Sequence, residues 1–125
     1  MVPTNHAGTS VVVVDDDLSV RRALQRLIRS AGFSVEAFAS GQKFLDSDPG
    51  GASRCVVLDI HLGGMSGLEV QERLAARGVR MPVIVITAHD DARMRARVES
   101  LGAVYLRKPF DDGVLLDAIR KAVTS

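Results

Sequence analysis

The sequence predicts an open, doubly wound α/β sandwich built on a parallel sheet. Three observations carry this. Short β-branched runs alternate with segments of helical spacing from end to end, the runs are near-continuously apolar, and there are five such strand–helix units. Strand–helix alternation implies right-handed crossovers and parallel pairing. Apolar runs without polar alternation imply a sheet covered on both faces. Five units are too few to close an eight-fold barrel.

The strands are expected at Ser10–Val14, Ser34–Phe38, Cys55–Leu58, Val83–Ile86 and Val104–Leu106. Between the first two, Val20, Leu24, Leu27, Ile28 and Ala31 form an apolar stripe at helical spacing. Met94, Val98 and Leu101 form another, and Val114, Leu115, Ala118, Ile119 and Ala122 a third. Asp17, Ser40, Ser66 and Asp111 are candidate helix N-caps. Gly32, Gly78 and Gly102 stand where helices end. Asp48-Pro49-Gly50-Gly51 is a loop by composition. Residues 1–9 are expected to be a flexible leader and residues 10–125 a single domain.

Composition narrows the function classes. At 125 residues, 46% hydrophobic and 25% charged, the chain is an ordinary globular domain rather than a disordered one. No apolar run approaches the roughly 20 residues a membrane span needs, and MVPTNHAGTS has neither a cationic start nor an apolar stretch. A cytoplasmic location is therefore expected, without membrane contact. Cys55 is the one cysteine, it lies in an apolar run, and it is expected to be an inert core residue. The net charge is +1, with no basic run beyond alternating Arg93, Arg95 and Arg97, so this domain is not expected to bind nucleic acid directly. His6, His61 and His89 lack metal-ligand spacing, which argues against zinc.

In an open α/β sheet, ligands bind beyond the carboxyl ends of the strands. The first strand runs into Asp15-Asp16-Asp17, the third into Asp59, the fourth into Thr87-Ala88 and the fifth into Lys108-Pro109. Taken singly, each has a plain structural explanation: an acidic cap, a turn aspartate, a strand threonine, a loop lysine. Together they place acids, a hydroxyl and an ammonium at one mouth. Crowded carboxylates resist joint ionisation, and Mg²⁺, which takes one or two carboxylates plus phosphate oxygens and waters, resolves the repulsion. The combination points to phosphoryl transfer onto an aspartate.

The motifs VVVVDD (Val11–Asp16), VVLDIHLGGMSG (Val56–Gly67), VIVITAH (Val83–His89) and YLRKPF (Tyr105–Phe110) resemble those of response-regulator receiver domains of two-component signalling. GFSVEAFASGQKFL and MPVIVITAHDD resemble the FixJ-like transcription regulators, whose output domain binds DNA. The resemblance covers Ser10 to Val123 and implies a flavodoxin-like sandwich, a five-stranded sheet of order 2-1-3-4-5 with five helices. It implies that Asp59 accepts a phosphoryl group from a sensor histidine kinase, and that Asp15, Asp16, Asp59 and the His61 backbone carbonyl hold Mg²⁺. Thr87 and Lys108 would contact the phosphoryl oxygens, Ala88 would stay small to admit them, and Pro109 would follow a cis peptide. Thr87 and Tyr105 would form the switch, and His61 and His89 would set the phosphate lifetime. The domain would catalyse its own phosphorylation and dephosphorylation. Its fourth helix, fifth strand and fifth helix would carry output, through a phosphorylation-dependent homodimer paired by Arg93, Arg95 and Arg97 with Asp111, Asp112 and Asp117. One departure stands out: where many such domains have proline four residues after the acceptor, this loop reads Leu62-Gly63-Gly64.

Two other functions compete. A receiver-shaped binding module independent of phosphate would not need the filled acceptor, metal, threonine and lysine positions. A small aspartate-dependent phosphatase would need an acid two residues beyond its nucleophile, where this chain has His61.

Overall fold

The computed structural model describes residues 6–47, 53–89 and 91–124. They form β1 (His6–Val14), α1 (Leu18–Ser30), β2 (Phe33–Phe38), α2 (Gly41–Asp46), β3 (Ser53–Asp59), α3 (Gly67–Ala76), β4 (Val83–Thr87), α4 (Ala92–Ser100), β5 (Val104–Arg107) and α5 (Asp112–Thr124). The strands make one sheet of order β2-β1-β3-β4-β5, parallel at every pairing. The expected flavodoxin-like order and helix count are those found.

Side chains of alternate strand residues go to opposite faces, and the core divides accordingly. Val12, Val14, Val56, Leu58, Val83 and Val85 join Phe44, Leu45, Val70, Leu74 and Val98 of α2, α3 and α4. Val11, Val13, Val57, Ile84 and Ile86 join Leu24, Ile28, Leu115 and Ile119 of α1 and α5. Cys55 lies in this second layer, wholly buried, and burial pushes its thiol up to about 12, so it stays an inert thiol as expected.

Four helices start on side-chain caps. Asp17 accepts from the Ser19 and Val20 N–H groups, Ser40 from Lys43, Ser66 from Glu69, and Asp91 from Arg93 and Met94. The Asp91 cap went unforeseen. Asp111 directly precedes α5, and its carbonyl accepts from the Val114 N–H.

One expected strand boundary needs correction. β1 begins at His6, not Ser10, because the main chain of residue 6 pairs with Phe33 across a register shift. Residues 6–9 thus belong to β1; residues 1–5 and 48–51 lie outside the described residues. Within the chain, the arginines of α4 make separate contacts. Residues two apart on a helix point to opposite sides, so Arg97 reaches α3, donating to Glu72 Oε2 at 3.2 Å. Arg95 turns the other way, its guanidinium 5.2 Å from the Tyr105 ring centre. Asp117 pairs within its own helix with Arg120, at 3.2 Å.

Candidate functional site

Strand register assembles the site. Val14 pairs with Leu58, Asp59 with Ile86 and Thr87 with Arg107. Asp15 therefore follows directly on the pair that precedes Asp59, and Lys108 directly on the partner of Thr87. The four strand ends singled out in the sequence do meet at one edge.

Asp15 is 1% exposed. Its N–H donates to the Phe38 carbonyl at 3.2 Å and its carbonyl accepts from Arg21 Nη1 at 2.8 Å. One carboxylate oxygen, Oδ1, accepts the Asp17 N–H at 2.9 Å. The other, Oδ2, is buried and has no hydrogen-bond partner among the described residues. Desolvation raises the Asp15 pKa above its ordinary 3.8, and repulsion by Asp59 and Asp16 adds to this; the Asp17 hydrogen bond and Lys108 oppose it. Asp16 is exposed, and its Oδ2 accepts the Gly63 N–H at 3.2 Å.

Asp59 closes β3, partly buried. Its Oδ1 accepts the His61 N–H at 2.8 Å, and its Oδ2 lies 3.4 Å from the Lys108 ammonium. Lys108 is held in turn by its N–H, which donates to the Thr87 carbonyl at 2.7 Å, and the Lys108–Pro109 peptide is cis.

On the far side, Thr87 is buried while Ala88 and His89 are exposed. The Thr87 hydroxyl accepts the His89 N–H at 3.1 Å and donates to the His89 carbonyl at 3.3 Å. The Tyr105 hydroxyl donates to that same carbonyl at 3.0 Å. Both expected switch residues therefore meet on one peptide oxygen, and the Tyr105 side chain is already tucked in, at 6% exposure. The His61 and His89 rings meet edge to face with centres 5.0 Å apart. They line, with Ile60, Thr87, Asp91 and Tyr105, a cavity of about 340 Å³.

The crevice suits a hard, hydrated cation. An orphaned buried carboxylate oxygen beside two further carboxylates is a donor set for Mg²⁺, which keeps several waters and needs few protein ligands. Among the described residues no set of three or more His, Cys, Asp and Glu side chains is arranged to hold a metal alone. That excludes a dense all-side-chain cage, not a site completed by backbone carbonyl and water.

Three contributors were not foreseen as parts of the site. Arg21 anchors the Asp15 carbonyl from α1. The Gly63 N–H reaches Asp16. Gly67 packs so closely that a β-carbon there would stand 2.7 Å from the Asp59 carbonyl oxygen. Only the glycines carried a sequence signal, inside the motif that holds Asp59.

The parallel sheet thus brings its acidic strand ends to one edge with a lysine and a buried threonine. The model of the response regulator receiver domain matches residues 11–120, and the chain belongs to that family. It is 46% identical over 110 residues to nodulation protein W of Bradyrhizobium diazoefficiens, covering 87% of this chain and 48% of that one. It is 41% identical over 121 residues to the transcriptional regulatory protein TdiR of Thauera aromatica, covering 96% and 53%. The chain thus spans about half the length of the curated relatives it matches. The crystal structure of FixJ-N superposes with a TM-score of 0.86 at 32% identity, covering 94% of this chain and 95% of that one. These relatives are response regulators of the FixJ type, as the motifs implied. Among the described residues no helix is long and apolar enough to cross a membrane.

Proposed function

We propose that this receiver domain takes a phosphoryl group from a sensor histidine kinase onto Asp59. The observation that carries the reading is the Lys108 ammonium 3.4 Å from Asp59 Oδ2, in a crevice that also holds the orphaned oxygen of Asp15. The Asp59 carboxylate attacks phosphorus in line. An O–P bond forms as the N–P bond of the phosphohistidine breaks, and the imidazole leaves with the electron pair. Lys108 neutralises charge on the transferring oxygens, and Thr87 supplies a hydroxyl donor to them. Mg²⁺, held by Asp15, Asp16, Asp59 and the His61 backbone carbonyl, would supply the remaining charge neutralisation. Ala88 leaves room beside the new group. Hydrolysis later reverses the anhydride: water attacks phosphorus and the Asp59 carboxylate leaves. We assign to the paired rings of His61 and His89 the role of covering the water's route, so that alanine at both shortens the lifetime of the phosphoryl group.

Output would follow from the shared oxygen of His89. When Thr87 turns to the phosphoryl group, that carbonyl loses one of its two hydroxyl donors, and Tyr105 and the α4–β5–α5 surface respond. Val104 and Val114 are exposed there, at 42% and 46%, which favours a phosphorylation-dependent dimer through this face. Transcription control through a DNA-binding domain outside this chain fits relatives such as TdiR.

The test is intact-mass analysis after incubation with phosphoramidate, with and without Mg²⁺, on wild type and Asp59→Asn. One phosphoryl addition that requires both Mg²⁺ and Asp59 is the expected result. No addition under any condition would transfer the reading to a phosphate-independent binding module.

A further inference from the structure

The loop from β3 to α3 directs two backbone N–H groups at carboxylates. That of His61 serves the neighbouring Asp59, whereas that of Gly63 crosses from β3 to the end of β1 and donates to Asp16 Oδ2 at 3.2 Å. Asp16 is exposed and, unlike Asp15, is not held by the surrounding core. Gly63 is followed by Gly64 at φ +86°, so the segment itself offers little stiffness. Proline at position 63 would have no N–H and could not make this bond.

We infer that the Gly63 N–H is a positioning group: it holds the exposed Asp16 carboxylate at the crevice and ties the double-glycine loop to it. The inference rests on the phosphoacceptor reading of the site. A carboxylate has lone pairs enough to accept this bond and still face a cation. With the bond in place, Asp16 waits in position rather than rotating among solvent-exposed rotamers, and the loop that carries His61 is fixed in the same step. Without it, both the carboxylate and the loop must be ordered when the cation arrives.

Two substitutions separate the donor from the glycine. Gly63→Ala keeps the N–H, and its β-carbon would sit 3.4 Å from Asp16 Oδ2, an ordinary contact. Gly63→Pro removes the N–H. In an NMR titration with Mg²⁺, Gly63→Pro is expected to raise the dissociation constant by about 3- to 10-fold, while Gly63→Ala stays within about 2-fold of wild type. Gly63→Pro binding Mg²⁺ as tightly as wild type, or more tightly, would overturn the inference.

Amide exchange in metal-free protein provides an independent arm. The Gly63 amide of wild type is expected to be protected, and Asp16→Ala to speed its exchange about 10-fold or more. Equal exchange in the two proteins refutes the tie even if Gly63→Pro fails to fold. Failure of wild type to bind Mg²⁺ at all would sink the phosphoacceptor reading instead, and the exchange experiment would still decide whether Gly63 holds Asp16.

Discussion

Asp15→Asn should stabilise the metal-free domain while weakening its response to Mg²⁺. Asp15 is 1% exposed, its Oδ2 has no partner, and burial together with Asp59 and Asp16 raises its pKa above 3.8. Charge is therefore held there at a cost. Asparagine keeps the oxygen that accepts the Asp17 N–H and places an amide NH₂ where the orphaned oxygen was, a donor facing neighbouring carboxylates. Relieving one desolvated, repelled charge is worth about 1 kcal/mol in the folded state, within the usual range for a single substitution. For a domain of this size that is a rise in Tm of roughly 3–5 °C. The pH dependence follows from the direction of the shift. The folded state binds the Asp15 proton more tightly than the unfolded chain, so stability falls as pH rises from 3.8 to the raised value, and the penalty is complete above it. The advantage of the variant should thus be full at neutral pH and fade on acidification towards 3.8. Mg²⁺ offsets this advantage. At ten times its dissociation constant it adds about 1.4 kcal/mol to wild type, and clearly less to the variant. Thermal melts from pH 4 to 8, in EDTA and in Mg²⁺, read all of this. A metal-free variant less stable than wild type at neutral pH would refute the reasoning.

Two further predictions concern packing and the switch. Gly67→Ala places a β-carbon 2.7 Å from the Asp59 carbonyl oxygen and 3.0 Å from Ile60 Cα, both backbone atoms that cannot swing aside. It should cost about 1–3 kcal/mol and slow phosphorylation by phosphoramidate about 10-fold or more, since small misplacements of a reacting group are expensive; wild-type kinetics would contradict it. Tyr105→Phe removes the 3.0 Å bond to the His89 carbonyl, but the Thr87 hydroxyl still serves that oxygen. The loss should therefore stay near 0.5–1 kcal/mol by denaturant melts, with phosphorylation rate unchanged and any phosphate-driven dimerisation reduced in ultracentrifugation.

Much of this protein was legible in the chain because it follows from local chemistry. The valine runs at 11–14 and 56–57 and the isoleucine-rich run at 83–86 can be satisfied only in a doubly covered sheet, and Asp17, Ser40 and Ser66 announce their helices through side-chain oxygens a few residues from the N–H groups they cap. The residues that end each strand were legible too, since a parallel sheet leaves them one edge at which to meet. What the sequence could not decide depends on distance through space. The arginines of α4 read as one charged face, but helix geometry sends Arg97 to Glu72 and Arg95 to Tyr105. That Thr87 and Tyr105 share the His89 oxygen, that Asp15 has an orphaned oxygen, and that Gly63 spans 47 residues to Asp16 are facts of register and packing. Periodicity and residue type select the fold because burial acts on every residue of a strand or helix at once. Single hydrogen bonds across the crevice depend on where two separate segments come to rest, and only the packed tertiary structure sets that.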